Sequence, residues 1–169
     1  EDLVKEKGID PKKVSVIYEG YDKKLFRPVS NDTEVLSLIP FFLFVGTIQP
    51  RKNLDRLIKA FSKTTGANLV IAGSKGWLFD EIYELPRKLG IEERVKFLGY
   101  VPDEKLPALC SKGGAIFVDP YDVDDIVRGM IKSQISNLKS QMIKAGFENI
   151  KRFSWEKCAK ETLEVLENI

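Results

Sequence analysis

The chain contains no histidine and only two cysteines, Cys110 and Cys158. The absence of histidine excludes a histidine general base, a Ser-His-Asp triad and a histidine-ligated metal within this chain. Neither cysteine has a neighbour at ligand spacing, so both are expected to be reduced packing residues in a cytosolic protein. There is also no apolar run long enough to span a bilayer, and the first residues lack the cationic and apolar regions of a signal peptide.

The chain also has no strong excess of positive or negative charge. The chain has 27 Lys and Arg against 25 Asp and Glu, which gives a net charge of +2. Acids alternate with bases, so no nucleic-acid footprint and no polybasic membrane patch is present. The length of 169 residues and the hydrophobic content of 43% describe an ordinary globular protein of one domain, or one large lobe of a bigger one.

Short apolar segments alternate with amphipathic ones along the chain. The pattern predicts strands at residues 14–17, 41–45, 68–72, 95–98 and 115–118. It predicts helices at residues 54–62, 79–89, 104–110, 122–133, 137–145 and 155–169, the last with Ala159, Leu163 and Leu166 facing inward. Alternating strands and helices indicate an α/β fold with a parallel sheet and right-handed crossovers.

The turns that follow four of these strands are the predicted site. They lie at residues 19–20, 46–53, 73–77 and 99–100. Ligands of parallel sheets bind outside the carboxyl ends of the strands. We therefore expect the four turns to line one edge of the sheet.

Two cations stand in the turn at 46–53, directly before a helix. Helix starts carry positive charge on their free N–H groups, so acids are usual there. Arg51 and Lys52 instead concentrate positive charge where a phosphate would bind. Gly46 allows the backbone to approach such a ligand closely, and Asn53 is expected to cap the helix. The alternative for an Arg-Lys pair is a solvated basic turn.

The other candidates are weaker. The loop from Gly73 through Ser74 to Gly76 can border a ribose or phosphate, but glycines also simply turn a chain. The same holds for Gly20, whose alternative is a tight turn. Trp77 and Trp155 are expected to be packing residues, with Trp77 alternatively flanking a ligand.

Four acids cluster near residue 120. A capped, acid-rich first helical turn with Asp122 as the cap explains them more simply than a metal site does. The four are Asp119, Asp122, Asp124 and Asp125.

Several segments, in order, resemble the C-terminal, donor-binding domain of the family 4 retaining glycosyltransferases (glycosyl transferases group 1), which have the GT-B fold. The segments are KVSVIYEGYD with FRP (13–22 and 26–28), GTIQPRKNLDRLIKAF (46–61), LVIAGSKGW (69–77), VKFLGYVP (95–102) and FSWE (153–156). The resemblance implies a Rossmann-like three-layer sandwich with a parallel sheet, forming one lobe of a GT-B enzyme. It implies that residues 1–169 are the nucleotide-sugar-binding domain. No Gly-x-Gly-x-x-Gly opens a helix, which disfavours a dehydrogenase or flavodoxin-like cofactor domain.

The family transfers a hexosyl group from a nucleotide diphosphate sugar to an acceptor hydroxyl with retention. By resemblance, Arg51 and Lys52 are catalytic: they hold the donor diphosphate and offset charge on the departing nucleotide, with no cofactor and no metal. The donor-binding residues implied in the same way are Gly20, Gly46, Thr47, Asn53, Gly73, Ser74, Gly99 and Tyr100. Thr47 stands where many relatives carry Arg. The parent enzyme is expected to be cytoplasmic, peripheral at the inner membrane face, and to build glycans, polysaccharide or glycolipids.

The resemblance breaks after Val118. The family has a Pro-Ser-Glu-Gly-Phe-Gly-like loop there, then a helix with a second glutamate and a further strand, a βαβ unit of roughly 30 residues or more. In this chain Val118 joins Asp119 directly. The paired glutamates that contact donor ribose and sugar are therefore missing, as is the acceptor-binding N-terminal domain. Three origins stay open: a segment left out of the sequence, a deliberate deletion, or natural degeneration.

Two hypotheses follow for the isolated chain. The first is a donor-binding domain that binds nucleotide weakly without turnover. The alternative is a truncated or engineered non-catalytic α/β scaffold, forming a homodimer through the surface that the missing unit exposes.

Overall fold

The computed structural model describes residues 2–24, 40–102 and 116–168 of the chain. It divides into two compact units, one made of Glu1–Phe26 with Glu148–Ile169 and the other of Arg27–Phe147. Several predictions fall outside the described residues: the helix at 104–110, the role of Cys110, the first residue of the strand at 115–118, and the FRP segment at 26–28.

A parallel three-stranded sheet lies at the centre of the larger unit. Its strands are β1 (Phe41–Val45), β2 (Asn68–Ala72) and β3 (Val95–Gly99), in the spatial order β1-β2-β3. Phe41 pairs with Asn68, and Leu69 pairs with Val95. The central strand β2 is a continuous apolar run because both of its faces are covered, and its last four residues are buried. These three strands confirm their predictions and the α/β, Rossmann-like fold class.

Helices of the larger unit cover this sheet. The first long one, α2 (Leu54–Ser62), buries Leu54, Ile58 and Phe61 completely, as their spacing along the sequence predicts. It packs against α3 (Asp80–Lys88) and α4 (Val123–Ser133). Gly90 ends α3 with a φ of +66°, the left-handed conformation expected just after a helix. The next helix along the chain, α5 (Ser136–Ile150), has residues in both units and is longer than the predicted 137–145.

The smaller unit contains α1 (Asp2–Lys5), a 3₁₀ turn at Pro11–Lys13, and α6 (Trp155–Glu167). Ser154 caps α6 as predicted, because its hydroxyl accepts a hydrogen bond of 3.1 Å from the Lys157 N–H. Gly20 lies directly against the start of this helix, and a Cβ at this position would overlap the backbone at Trp155. Gly20 is thus fixed by packing within the smaller unit.

Two predicted strands are wrong. Residues 14–17 form no strand, and Val16 is largely exposed. Residues 116–118 also form none, and this segment packs instead on Gly129 of α4, where a Cβ would press on Val118. A short apolar run becomes a strand only when a neighbouring strand completes its hydrogen bonds.

Two predictions of burial are wrong as well. Ala159 and Leu163 of α6 are exposed, as is Leu166, so the expected inner stripe has no cover among the described residues. Trp77 and Trp155 are each 54% exposed and are not core residues. Periodicity identifies the apolar face of a helix, but burial also needs a partner for that face. No helix in the described ranges is long and apolar enough to cross a membrane.

Candidate functional site

The turns that follow β1 and β2 run side by side. The Gly46 N–H donates to the Ala72 carbonyl and the Ile48 N–H to the Ser74 carbonyl, both at 2.9 Å. The Gly76 N–H donates back to the Ile48 carbonyl at 3.0 Å. Strand pairing therefore continues beyond the sheet and makes one backbone surface of the two turns.

Gly73 brings a third turn to this surface. Its N–H donates to the Gly99 carbonyl at 2.7 Å, which joins the turn after β2 to the turn after β3. Its φ is +153°, and a Cβ at this position would overlap the Gly46 carbonyl. The prediction that turns share one edge is confirmed for the three that follow β1, β2 and β3. The turn at Gly20 belongs to the smaller unit, and its place at this edge stays a prediction.

Arg51 and Lys52 lie in a 3₁₀ turn, Pro50–Lys52, immediately before α2. Pro50 sets the backbone for the first position of this turn, and the Lys52 N–H closes it on the Gln49 carbonyl at 3.0 Å. Both cations are exposed, and neither pairs with any residue in the described part of the chain. The nearest acid in sequence, Asp55, is paired with Lys59 at 2.9 Å. The two cations are thus available to an anion from outside.

Asn53 is not the side-chain cap that the sequence predicts. Its φ of +59° is left-handed, whereas a capping side chain needs extended backbone, and it makes no capping hydrogen bond to α2. Its Nδ2 donates instead to the Pro120 carbonyl at 2.7 Å, and its Oδ1 accepts from Arg56 at 2.9 Å. The Arg56 guanidinium in turn lies 5.3 Å from the centre of the Tyr121 ring. Asn53 therefore fastens the segment after Val118 to the start of α2.

The acids near residue 120 form the capped turn that was predicted. The Asp122 carboxylate accepts from the N–H groups of Asp124 and Asp125. A hydrogen bond and charge from Lys63, at 2.6 Å, lower the pKa of Asp124. The backbone N–H of Asp119 lowers the pKa of Asp125. No group of three or more potential ligands that could hold a metal ion occurs among the residues described.

The side chains of the remaining predicted donor-binding residues are exposed to solvent. Thr47 and Ser74 are exposed in the two paired turns, and Tyr100 is exposed after β3. Lys75, which is not among the predicted site residues, places its ammonium 4.8 Å from the centre of the Phe79 ring. Gln49 is not among the predicted site residues either. It is a polar residue that lies between Ile48 and Pro50, and it is only 6% exposed.

The span that contains the sheet and its three joined turns matches a known family. The family model described as "Glycosyl transferases group 1" covers residues 37–120. The chain belongs to this family. The predicted recognition is confirmed, and the group 1 motifs at 46–61 and 69–77 are the residues around which the site is built.

Curated relatives carry glycosyltransferase names. The chain is similar to O-antigen chain mannosyltransferase B of Escherichia coli, with 26% identity over 73% of this chain and 44% of that protein. It is 35% identical to D-inositol 3-phosphate glycosyltransferase of Mycobacterium ulcerans (strain Agy99) over 53% of this chain and 21% of that protein. The chain thus spans less than half the length of these two relatives.

Solved structures show the same fold. A glycosyltransferase from Rickettsia africae superposes with a TM-score of 0.80 at 17% identity, covering 99% of this chain and 61% of that one. Anabaena HepE, solved in complex with UDP-glucose, gives a TM-score of 0.78 at 16% identity, covering 97% of this chain and 60% of that one. The chain therefore has the Rossmann-like α/β fold of the GT-B glycosyltransferases, as the resemblance predicted.

Proposed function

We propose that this group 1 chain is the nucleotide-sugar-binding domain of a hexosyltransferase. Its parent enzyme would transfer a hexosyl group from a nucleotide diphosphate sugar to an acceptor hydroxyl, with retention, in the synthesis of glycans, polysaccharide or glycolipids. The observation that carries the proposal is the edge where three turns are hydrogen-bonded together beside two cations that no described residue neutralises. The names of the relatives, an O-antigen mannosyltransferase among them, support the same class of reaction.

Arg51 and Lys52 carry the chemistry in this proposal. As the bond between the anomeric carbon and the diphosphate oxygen breaks, negative charge develops on the departing oxygen. Two cations on a turn held by Pro50 and by the start of α2 stabilise that charge without rearranging. The glycine turns at Gly46, Gly73 and Gly99, with Thr47, Ser74 and Tyr100 beside them, would border the phosphates and the nucleoside.

Several parts of the proposal concern the parent enzyme. An N-terminal domain would bind the acceptor, and the family's paired glutamates, which this chain lacks after Val118, would contact ribose and sugar. The donor would need no cofactor and no metal. The parent enzyme would work in the cytoplasm, peripheral at the inner membrane face. The isolated chain would bind nucleotide weakly and transfer no sugar.

Calorimetric titration with UDP and with GDP tests the binding half of the proposal. Both nucleotides are needed because the sequence does not identify the base, although HepE binds UDP-glucose. Arg51→Ala with Lys52→Ala should weaken binding at least tenfold, since about 1.5–3 kcal/mol is usual for each hydrogen bond to a charged group. The matched control is Arg87→Ala with Lys88→Ala, which removes an identical Arg-Lys pair from the end of α3. Equal affinity in wild type and the Arg51/Lys52 variant refutes the proposal.

A scaffold without catalytic function is the second candidate, and Phe117 favours it. This side chain is 96% exposed, in a segment that joins no described strand. A contiguous exposed apolar patch is typical of an association surface, and the scaffold hypothesis places Phe117 in such a patch. The scaffold hypothesis requires self-association together with an absence of nucleotide binding. The same titration therefore separates the two candidates.

A further inference from the structure

Gln49 is a buried polar residue in the turn that carries the two cations. It is 6% exposed, although it lies between the exposed Thr47 and the exposed Arg51. Its backbone is extended, with φ of −161° and ψ of 156°, and its carbonyl accepts the Lys52 N–H that closes the 3₁₀ turn. Its position in the site is thus fixed by the backbone.

The Gln49 amide has no hydrogen-bond partner among the described residues. It makes no capping bond to the turn that it precedes. The amide oxygen and the two N–H groups are therefore left to bond water or a ligand.

The stem of the Gln49 side chain is held, and its amide is not enclosed. The stem of the side chain packs against the neighbouring turn, because a Cβ at Gly76 would lie 3.2 Å from the Gln49 Cβ. The described residues contain no enclosed side-chain nitrogen or oxygen that lacks a partner. The end of the Gln49 side chain must therefore reach the surface.

We infer that the Gln49 carboxamide is a further donor-binding group, which donates its Nε2 hydrogens to the diphosphate that Arg51 and Lys52 attract. This inference rests on the proposed function and adds a residue to its site. Arg51 and Lys52 supply the positive charge that attracts an anion. A side chain held by its buried stem adds a directional hydrogen bond beside them.

Inorganic pyrophosphate is the probe, because it tests the phosphate contact without depending on the base. Gln49→Met keeps the buried stem and removes the amide, and Gln49→Glu keeps the shape but offers an acceptor-only carboxylate at neutral pH. NMR titration should show pyrophosphate binding weakened about tenfold by Gln49→Met, the loss expected for a hydrogen bond to a charged group. Gln49→Glu should weaken it further, because a carboxylate repels the anion. Arg87→Ala with Lys88→Ala should leave it unchanged.

The outcomes separate this inference from the proposed function. If wild type binds pyrophosphate, the Arg51/Lys52 variant loses it and both Gln49 variants retain it, Gln49 is a packing residue and only the inference fails. If wild type binds neither pyrophosphate nor UDP and GDP, both proposals fail. Urea denaturation of each variant is the folding check. Should Gln49→Met not fold, the isosteric Gln49→Glu decides: wild-type affinity in that variant overturns the inference.

Discussion

Single residues decide whether the three turns can meet. Gly73 does so most directly, because its missing side chain leaves room for the Gly46 carbonyl while its N–H bonds to the Gly99 carbonyl. The sequence offers two interpretations of this glycine, a turn former or a ligand neighbour. The structure adds a third role, which is to allow two backbone segments to approach closely. This role cannot be recognised from the sequence, because it depends on which segment lies next to the glycine in space.

Gly73→Ala should therefore destabilise the larger unit by about 3 kcal/mol, since the added methyl meets backbone that cannot give way. The control is Gly66→Ala, at a φ of +73° with no atom within 4 Å of the added methyl. That substitution should cost only about 1 kcal/mol, the strain of a left-handed alanine. Urea denaturation followed by circular dichroism measures both. If the free energy of unfolding falls by a similar amount in the two variants, the close contact between Gly73 and the Gly46 carbonyl does not contribute to stability.

Whole elements hold the site in place through α2 and α4. Asn53 at the start of α2 binds the Pro120 carbonyl, and Lys63 at its end binds Asp124 of α4 at 2.6 Å. The two contacts join opposite ends of α2 to the segment that follows Val118. The sequence marks Asn53 only as a cap and does not single out Lys63, because contacts between distant positions leave no local pattern.

Lys63→Met should raise the pKa of Asp124 toward its ordinary value. The hydrogen bond and charge of Lys63 are the main causes that lower this pKa, and Arg128 contributes less. Carbon-detected NMR titration of the Asp124 carboxyl measures the change. Lys59→Met is the control, because it removes a cation that is paired with Asp55 on the same helix. It should leave the pKa of Asp124 unchanged.

The same pair predicts a direction for stability against pH. A carboxyl whose pKa is lowered by folding stabilises the folded state above its unfolded pKa, and this contribution is lost as pH falls through the folded pKa. Wild type should therefore be more stable than Lys63→Met at neutral pH. The difference should disappear under acid conditions, once Asp124 is protonated. A difference that is equal at both pH values would contradict the ion-pair explanation.

At the scale of the whole molecule, apolar surface lies uncovered in both units. In the larger unit Phe117 is almost completely exposed, and in the smaller unit Leu163 of α6 is 55% exposed. Since the chain spans only part of the length of its relatives, such faces are expected where further protein would pack. Loss of a unit after Val118 would expose the segment around Phe117 in particular.

Self-association is the matching prediction. Sedimentation velocity should show a molecular mass above 19.2 kDa that rises with protein concentration. Phe117→Ser should reduce this association, whereas Leu163→Ser should not, if the surface near the Val118 junction is the one that pairs. A monomer at every concentration would rule out the scaffold hypothesis in its dimeric form. It would leave the donor-binding proposal untouched, because that proposal rests on nucleotide binding.

Local patterns in the sequence are enough to predict the family, the α/β fold class, three parallel strands and the buried face of α2. These follow from periodicity, glycine positions and motifs, which are local properties of the chain. Contacts in the folded chain were needed to see that residues 14–17 and 116–118 are not strands, and that α6 keeps its apolar side chains exposed. The same is true of Asn53, which binds Pro120 rather than capping α2. The burial of Gln49 is also seen only in the folded chain. Each of these features depends on which distant segment packs beside the residue, and that segment cannot be predicted from the local sequence.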